Sequence, residues 1–329
     1  MTQLYDVAAI GNAIVDVIAP ATDGFLAAEG LEPSAMMLID EARGRELYSR
    51  MAPGVETSGG SAGNTIAGVA SLGGRAAFMG KVAKDQLGEV FGHDMRAIGA
   101  HFDTSPLEGG PATGRCLINV TPDGERAMST FLGASVEFAP EDIDPKIIEA
   151  AQIVFLEGYL FDAEVARRAF AKAAGHARAA GRMIAITLSD LFVVERHRAA
   201  LLAFVESQVD LVFANEAEVT GLFQTPDFDR AGAALGAITK IAAVTRGASG
   251  AVIFEAGKGI SVPAYPVEKV VDTTGAGDQY AAGFMFGLAA GRPLEVCGRL
   301  GSMAAAEVIS HYGPRPQVSL KDLAASKGL

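Results

Sequence analysis

The segment Asp272-Thr273-Thr274-Gly275-Ala276-Gly277-Asp278 runs directly into an almost wholly apolar stretch, residues 279–289. Such a stretch, with no polar face, predicts a buried helix. Glycines just before a helix let the chain turn so that its first free N–H groups converge on one point, where the helix dipole also favours negative charge. Gly275, Ala276, Gly277 and Asp278 are therefore expected to form an anion hole. Asp278 falls in the first turn beside it, where a carboxylate can take a proton from an attacking hydroxyl. A plainer account fits equally well: two glycines shaping a tight turn and an aspartate capping a helix.

Working outward, short apolar runs recur at 7–10, 76–79, 153–156, 183–187, 211–214, 241–245 and 251–254. Most are continuous rather than alternating, the pattern of strands buried on both faces. Ala-rich helical segments lie between several of them, at 163–180 and 229–239, with Gly181 placed to stop the first. This order predicts an α/β fold with a central, mostly parallel sheet flanked by helices. Two excursions break the rhythm. Residues 14–18 and 36–40 follow the first strand, and 115–120 and 126–131 flank the turn Thr121-Pro122-Asp123-Gly124 as a hairpin. They are expected to pair into a small β-sheet lid at 13–40 and 104–136, on an α/β body formed by 1–12, 41–103 and 137–329.

A second glycine cluster, Ser58-Gly59-Gly60-Ser61-Ala62-Gly63-Asn64, precedes a small-residue helix. Gly59 and Gly60 permit close approach of a ligand to the backbone, and Asn64 offers a donor and an acceptor for vicinal hydroxyls; a capped, closely packed helix is the alternative.

Composition narrows the function classes. Of 329 residues half are hydrophobic, and 27 Lys and Arg stand against 39 Asp and Glu for a net charge of −12. That is the wrong sign for a broad nucleic-acid surface. Anionic ligands must be held locally, by backbone N–H groups, single cationic side chains and a metal ion. Cys116 and Cys297 lie far apart outside any C-x-x-C, and the five histidines lack metal-ligand spacing, so neither set is assigned chemistry. No basic leader or long apolar window appears, so no membrane partner and a cytoplasmic location are expected. Gly80-Lys81 lacks the rest of a P-loop, and Gly275 to Tyr280 is not a dinucleotide-binding fingerprint, which counts against a dehydrogenase.

Taken together the two glycine clusters resemble the two signatures of the ribokinase, or PfkB, family of carbohydrate and nucleoside kinases. Further stretches extend the resemblance over nearly the whole chain. Gly11-Asn12-Ala13-Ile14-Val15-Asp16 is similar to the family's opening strand, which implies that Asp16 binds two sugar hydroxyls alongside Gly59, Gly60 and Asn64. Lys84-Asp85-Gln86-Leu87-Gly88 resembles a short motif that follows the first signature. Asn215-Glu216-Ala217-Glu218 matches an N-x-x-E element, implying that Asn215 and Glu218 organise Mg²⁺, partly through water. Thr245-Arg246-Gly247-Ala248-Ser249-Gly250 resembles the nucleotide-binding turn, with Arg246 where Lys is commoner. Asp272 and Thr274 occupy positions that bind a monovalent cation, K⁺, in many relatives.

The resemblance implies a kinase using ATP and Mg²⁺, with Asp278 as general base. Arg126, opening the second arm of the hairpin, is implied to stabilise the transferring phosphates, although a hairpin arginine by itself commonly does nothing catalytic. The openings at 11–16 and 124–126 are most similar to nucleoside-type members. The expected acceptor is therefore a nucleoside, with Tyr159 and Phe161 as an aromatic wall for its base. A ribose, fructose or keto-deoxy-sugar kinase is the alternative within the same chemistry, and a non-catalytic nucleoside or sugar sensor the alternative from another class. The chain is expected to be a monomer or a homodimer joined through the lid.

Overall fold

The structure, a computed structural model, describes residues 4–33 and 35–329. Thirteen strands appear among them: β1 (Tyr5–Ile10), β2 (Ile14–Pro20), β3 (Met36–Leu38), β4 (Val55–Ser58), β5 (Ala76–Met79), β6 (Thr113–Val120), β7 (Arg126–Gly133), β8 (Ala151–Glu157), β9 (Met183–Thr187), β10 (Leu211–Asn215), β11 (Ile241–Thr245), β12 (Ala251–Glu255) and β13 (Lys258–Val262). Eight form one sheet in the order β13-β12-β11-β10-β9-β8-β1-β5, parallel except for the β11-β12-β13 meander at one edge. The remaining five form a smaller sheet, β3-β7-β6-β2-β4.

The large sheet is buried on both faces. Along β1, Val7 and Ala9 enter one core, and Ala8 and Ile10 enter the other. Along β8, Ile153 and Phe155 divide from Val154 and Leu156 in the same way. The continuous apolar runs in the sequence are the consequence of this two-sided burial. The helix Glu164–Ala179 covers one face and ends where expected, with Gly181 at φ +67° donating to Arg178 and Arg182 donating back to Ala177. On the other face the helix Ala276–Ala289 packs between Ser61–Ser71 and Leu294–Val308. A Cβ at Gly68 would lie 2.2 Å from Gln279 Oε1 and 2.6 Å from Ala282 Cβ, so the two glycine-led helices touch backbone to side chain.

The small sheet contains all four strands expected of the lid. Its fifth strand, β4, pairs antiparallel with β2 and comes from residues that the sequence pattern leaves with the body. Its sequence, Val-Glu-Thr-Ser, has no apolar run to mark it, because it is an edge strand whose first residue is exposed. The face of this sheet formed by Ile14, Cys116, Ile118, Met128, Thr130 and Leu132 turns toward the carboxyl ends of the large sheet and lines a cavity of about 660 Å³.

Candidate active site

The cavity lies where the carboxyl ends of β8, β9, β10 and β11 meet the lid and the mouth of the helix Ala276–Ala289, the usual ligand position in an open α/β sheet. Gly275 sits at φ +77°, and a Cβ there would meet Pro314 at 2.7 Å, so this glycine is required by the turn. Gly277 is different. A Cβ on it would meet no atom within 4 Å, so its missing side chain serves the space in front of it. The amides of Gly277 and Asp278 have no helical carbonyl four residues back, leaving first-turn donors at the cavity wall.

Asp278 accepts a hydrogen bond from Ser61 Oγ at 2.6 Å and from Asn64 Nδ2 at 3.3 Å, so the two glycine clusters meet at this carboxylate. Burial pushes its pKa up to about 6, partly offset by those two bonds. Asn64 is therefore not a helix cap; it lies inside the helix Ser61–Ser71 and projects to the site, while Gly60 at φ +84° holds the cap position. Asp16, 5% exposed, is the second carboxylate on the cavity. Burial raises it to about 7, opposed by the charges of Arg315 and Arg126 and reinforced by Asp278. A Cβ on Gly59 would lie 2.3 Å from the Asp16 carboxyl carbon, which explains that glycine.

A third carboxylate, Glu157 at the end of β8, escaped the sequence reading. Its oxygens accept from Asn12 Nδ2 at 2.7 Å, Asn12 N at 3.3 Å and Ala62 N at 2.9 Å. It ties the first loop to the second glycine cluster, and burial holds it at about 7. Its signal was a polar residue ending an apolar strand, visible in Leu156-Glu157-Gly158 but without a partner in the local sequence.

Asn215 and Glu218 both line the cavity but bond to each other as a capping box. Asn215 Nδ2 donates to Glu218 Oε1 at 2.7 Å, and Glu218 N donates to Asn215 Oδ1 at 2.9 Å. Glu218 is 5% exposed and raised to about 7 by burial. Thr245 also lines the cavity, whereas Arg246, Gly247 and Gly250 form a tight turn behind it. Arg246 is pinned there, its guanidinium 4.0 Å from the Phe228 ring centroid and 3.0 Å from Glu216 Oε2. Gly247 and Gly250 take φ of +55° and +85°.

Arg126 leaves the lid for the body. Its Nη2 lies 2.7 Å from Asp272 Oδ2, and its guanidinium sits 5.5 Å from the Tyr312 ring centroid. Asp272 is otherwise used by Thr274 Oγ1 at 2.8 Å, Thr274 N at 3.1 Å and Gly313 N at 3.1 Å. Asp272 and Thr274 thus form a local turn, and Asp272 also ties Arg126 of the small sheet to the body. Of the two expected aromatics, Tyr159 lines the cavity and Phe161 does not; Phe161 is 2% exposed and packs on Phe204 and His197. Phe192, 72% exposed, joins Tyr159 at the cavity instead.

Two glycine-led helices converging on one aspartate beneath a β lid define a sugar-kinase type of site. Residues 34–320 match the family model described as pfkB family carbohydrate kinase, and the chain belongs to that family. It is 53% identical to a crystallised adenosine kinase from Sinorhizobium meliloti, with a TM-score of 0.92 and coverage of 98% of this chain and 99% of the other. A probable sugar kinase from Rhizobium etli is 49% identical, with a TM-score of 0.92 over 100% of this chain and 99% of the other. Adenosine kinase of Saccharomyces cerevisiae is 28% identical over 327 residues, covering 93% of this chain and 95% of the relative. The fold and the kinase class are those expected. Among the described residues no helix is long and apolar enough to cross a membrane.

Proposed function

We propose that this protein transfers the γ-phosphoryl group of ATP to the primary hydroxyl of a nucleoside, converting adenosine to AMP. The observation that carries the reading is the convergence of Ser61 and Asn64 on the Asp278 carboxylate at the mouth of the helix, within one cavity that Asp16 also lines. In this scheme Asp16 and Asn64 hold the ribose hydroxyls, and Asp278 receives the proton of the attacking hydroxyl. The amides of Gly275, Gly277 and Asp278 take up charge developing on the transferred group, while Ala276 N is held by Thr273 O at 3.2 Å.

The lid supports a nucleoside over a free sugar. Ile14, Met36, Leu38, Ile118, Met128 and Leu132 present a wall to the cavity that is apolar apart from Cys116 and Thr130, which suits a base better than a polyol. Glu218 and Asn215, both oxygen-bearing, fit the hard-cation preference of Mg²⁺ and would hold it with the nucleotide phosphates. The metal would neutralise phosphate charge in a site that otherwise carries several carboxylates. Asp272 and Thr274 stay the proposed place for a monovalent cation, with Arg126 and Gly313 as competitors for the same carboxylate. Thr245, with the turn of Arg246, Gly247 and Gly250 behind it, is proposed to border the nucleotide.

The test is a panel of acceptors assayed with ATP and Mg²⁺: adenosine, other nucleosides, ribose, fructose and a keto-deoxy sugar. Adenosine is expected to give the highest kcat/KM. Strong turnover of a free sugar with none of adenosine supports instead the sugar-kinase reading, to which the likeness to the Rhizobium etli protein lends weight. Tight nucleoside binding with no transfer at any Mg²⁺ or K⁺ concentration leaves a sensor.

A further inference from the structure

The segment Gly313-Pro314-Arg315-Pro316 lies outside every helix and strand and stitches the two glycine clusters together. Gln279, fully buried one residue after Asp278, donates from Nε2 to Asn64 O at 2.9 Å and to Pro314 O at 3.0 Å. Gly275 lies against Pro314, and Gly313 N is bound to Asp272. The next residue, Arg315, donates from Nε to Asn64 Oδ1 at 3.3 Å. Its Nη2 is buried without a hydrogen-bond partner among the described residues, beside the bare face of Gly63.

An asparagine amide has two ends, and only one serves a carboxylate base. With Nδ2 toward Asp278 the amide donates; turned over, it would set Oδ1 against a carboxylate oxygen. Hydrogen bonding from Nε, which can only donate, decides the orientation, because Oδ1 must face the guanidinium. We infer that Arg315 is a positioning residue for phosphoryl transfer, fixing the Asn64 amide so that it donates to Asp278, through the chain Arg315 Nε to Asn64 Oδ1 and Asn64 Nδ2 to Asp278 Oδ2. A guanidinium taken out of water with one nitrogen unbonded is costly to keep. Its charge is the strongest acting on Asp16, where it favours the ionised form, so it serves both carboxylates of the acceptor site. The inference rests on Asp278 acting as the base.

Arg315→Met removes both the donor and the charge. It is expected to lower kcat by about 10²-fold, the loss that a misplacement of about 1 Å can bring, with a smaller change in the KM for ATP. A double-mutant cycle with Asn64→Ala gives the decisive readout. If Arg315 acts through Asn64, Arg315→Met has little further effect on kcat in the Asn64→Ala background. Arg315→Lys, which keeps the charge but not the planar Nε–H, guards against a folding failure of the Met variant and is expected to lose kcat as well. Wild-type kcat in the Met and Lys variants, or full additivity with Asn64→Ala, overturns the inference. If Asp278→Asn is inactive while Arg315→Met is normal, only the positioning role falls. An active Asp278→Asn removes the base and this inference with it.

Discussion

Replacing Asp278 by Asn tests the proposed base with almost no change in shape. The new amide keeps an oxygen for Ser61 Oγ, now 2.6 Å from Asp278, but sets an NH₂ against Asn64 Nδ2 at the other position, now 3.3 Å away. Asn64 cannot easily turn over to relieve this, because its Oδ1 accepts from Arg315. One misfit donor pair costs about 1–3 kcal/mol of local stability, which a 329-residue domain core tolerates. The catalytic loss is larger. A positioned base contributes about 10²–10⁴-fold, or roughly 3–5 kcal/mol of barrier. ADP release coupled to a spectroscopic reporter gives kcat. Because the chain has no Trp, adenosine affinity is best read by titration calorimetry, and a change of less than about tenfold is expected, equal to about 1.4 kcal/mol. A kcat within about tenfold of the wild type, below the smallest loss expected for a base, refutes the assignment.

Further outcomes follow from the same geometry. Asp16, Glu157 and Glu218 are raised to about 7 and Asp278 to about 6, by burial first in each case. The folded state therefore binds more protons than the unfolded chain between about pH 4 and 7, and stability falls as pH rises through that window. The thermal midpoint of the ligand-free protein at pH 5.5 should exceed that at pH 8, and the reverse order would contradict the burial argument. Glu218→Gln keeps an oxygen for Asn215 but loses the charge, so the Mg²⁺ midpoint for activity should rise by about 10–100-fold; an unchanged titration removes Glu218 from the metal site. Gly277→Ala meets no steric obstacle and gains helix propensity of up to about 1 kcal/mol, so the protein should be as stable or more so while turnover falls. Undiminished turnover in that variant would show that no ligand occupies the space before Gly277.

What the sequence made legible follows a physical division. The seven core strands were readable because two-sided burial writes itself as an unbroken apolar run, as in Ile153-Val154-Phe155-Leu156. β4 and β13 were not, since Val-Glu-Thr-Ser and Lys-Gly-Ile-Ser-Val are edge strands with exposed positions. Tyr159 and Phe161 look equivalent in the sequence, but the 3₁₀ turn Gly158–Asp162 sends one to the cavity and the other into the core. The site residues that escaped notice are those whose meaning lies in a distant partner. Glu157 is 145 positions from Asn12, and Arg315 is 251 from Asn64; neither separation leaves a local pattern.

The glycines of the two clusters, and Gly68 in the helix that follows one of them, also separate into kinds that sequence cannot distinguish. Gly275 and Gly60 answer to the backbone, with positive φ and close neighbours. Gly59 and Gly68 answer to side chains, Asp16 and Gln279, that would otherwise be displaced. Gly277 answers to nothing in the protein and leaves room for something outside it. This matters for a chain of net charge −12 whose cavity is lined by Asp16, Glu157, Glu218 and Asp278. Such a surface attracts a polyanion poorly through its side chains: Arg126 and Arg315, whose charges act on Asp16, are held against Asp272 and Asn64, and Arg196 at the cavity is paired with Asp162. The remaining positive potential is that of the helix mouth, where bare glycine lets an anion reach the amides directly. The proposed anion hole therefore leans on Gly277, the glycine of the motif whose missing side chain no protein atom requires.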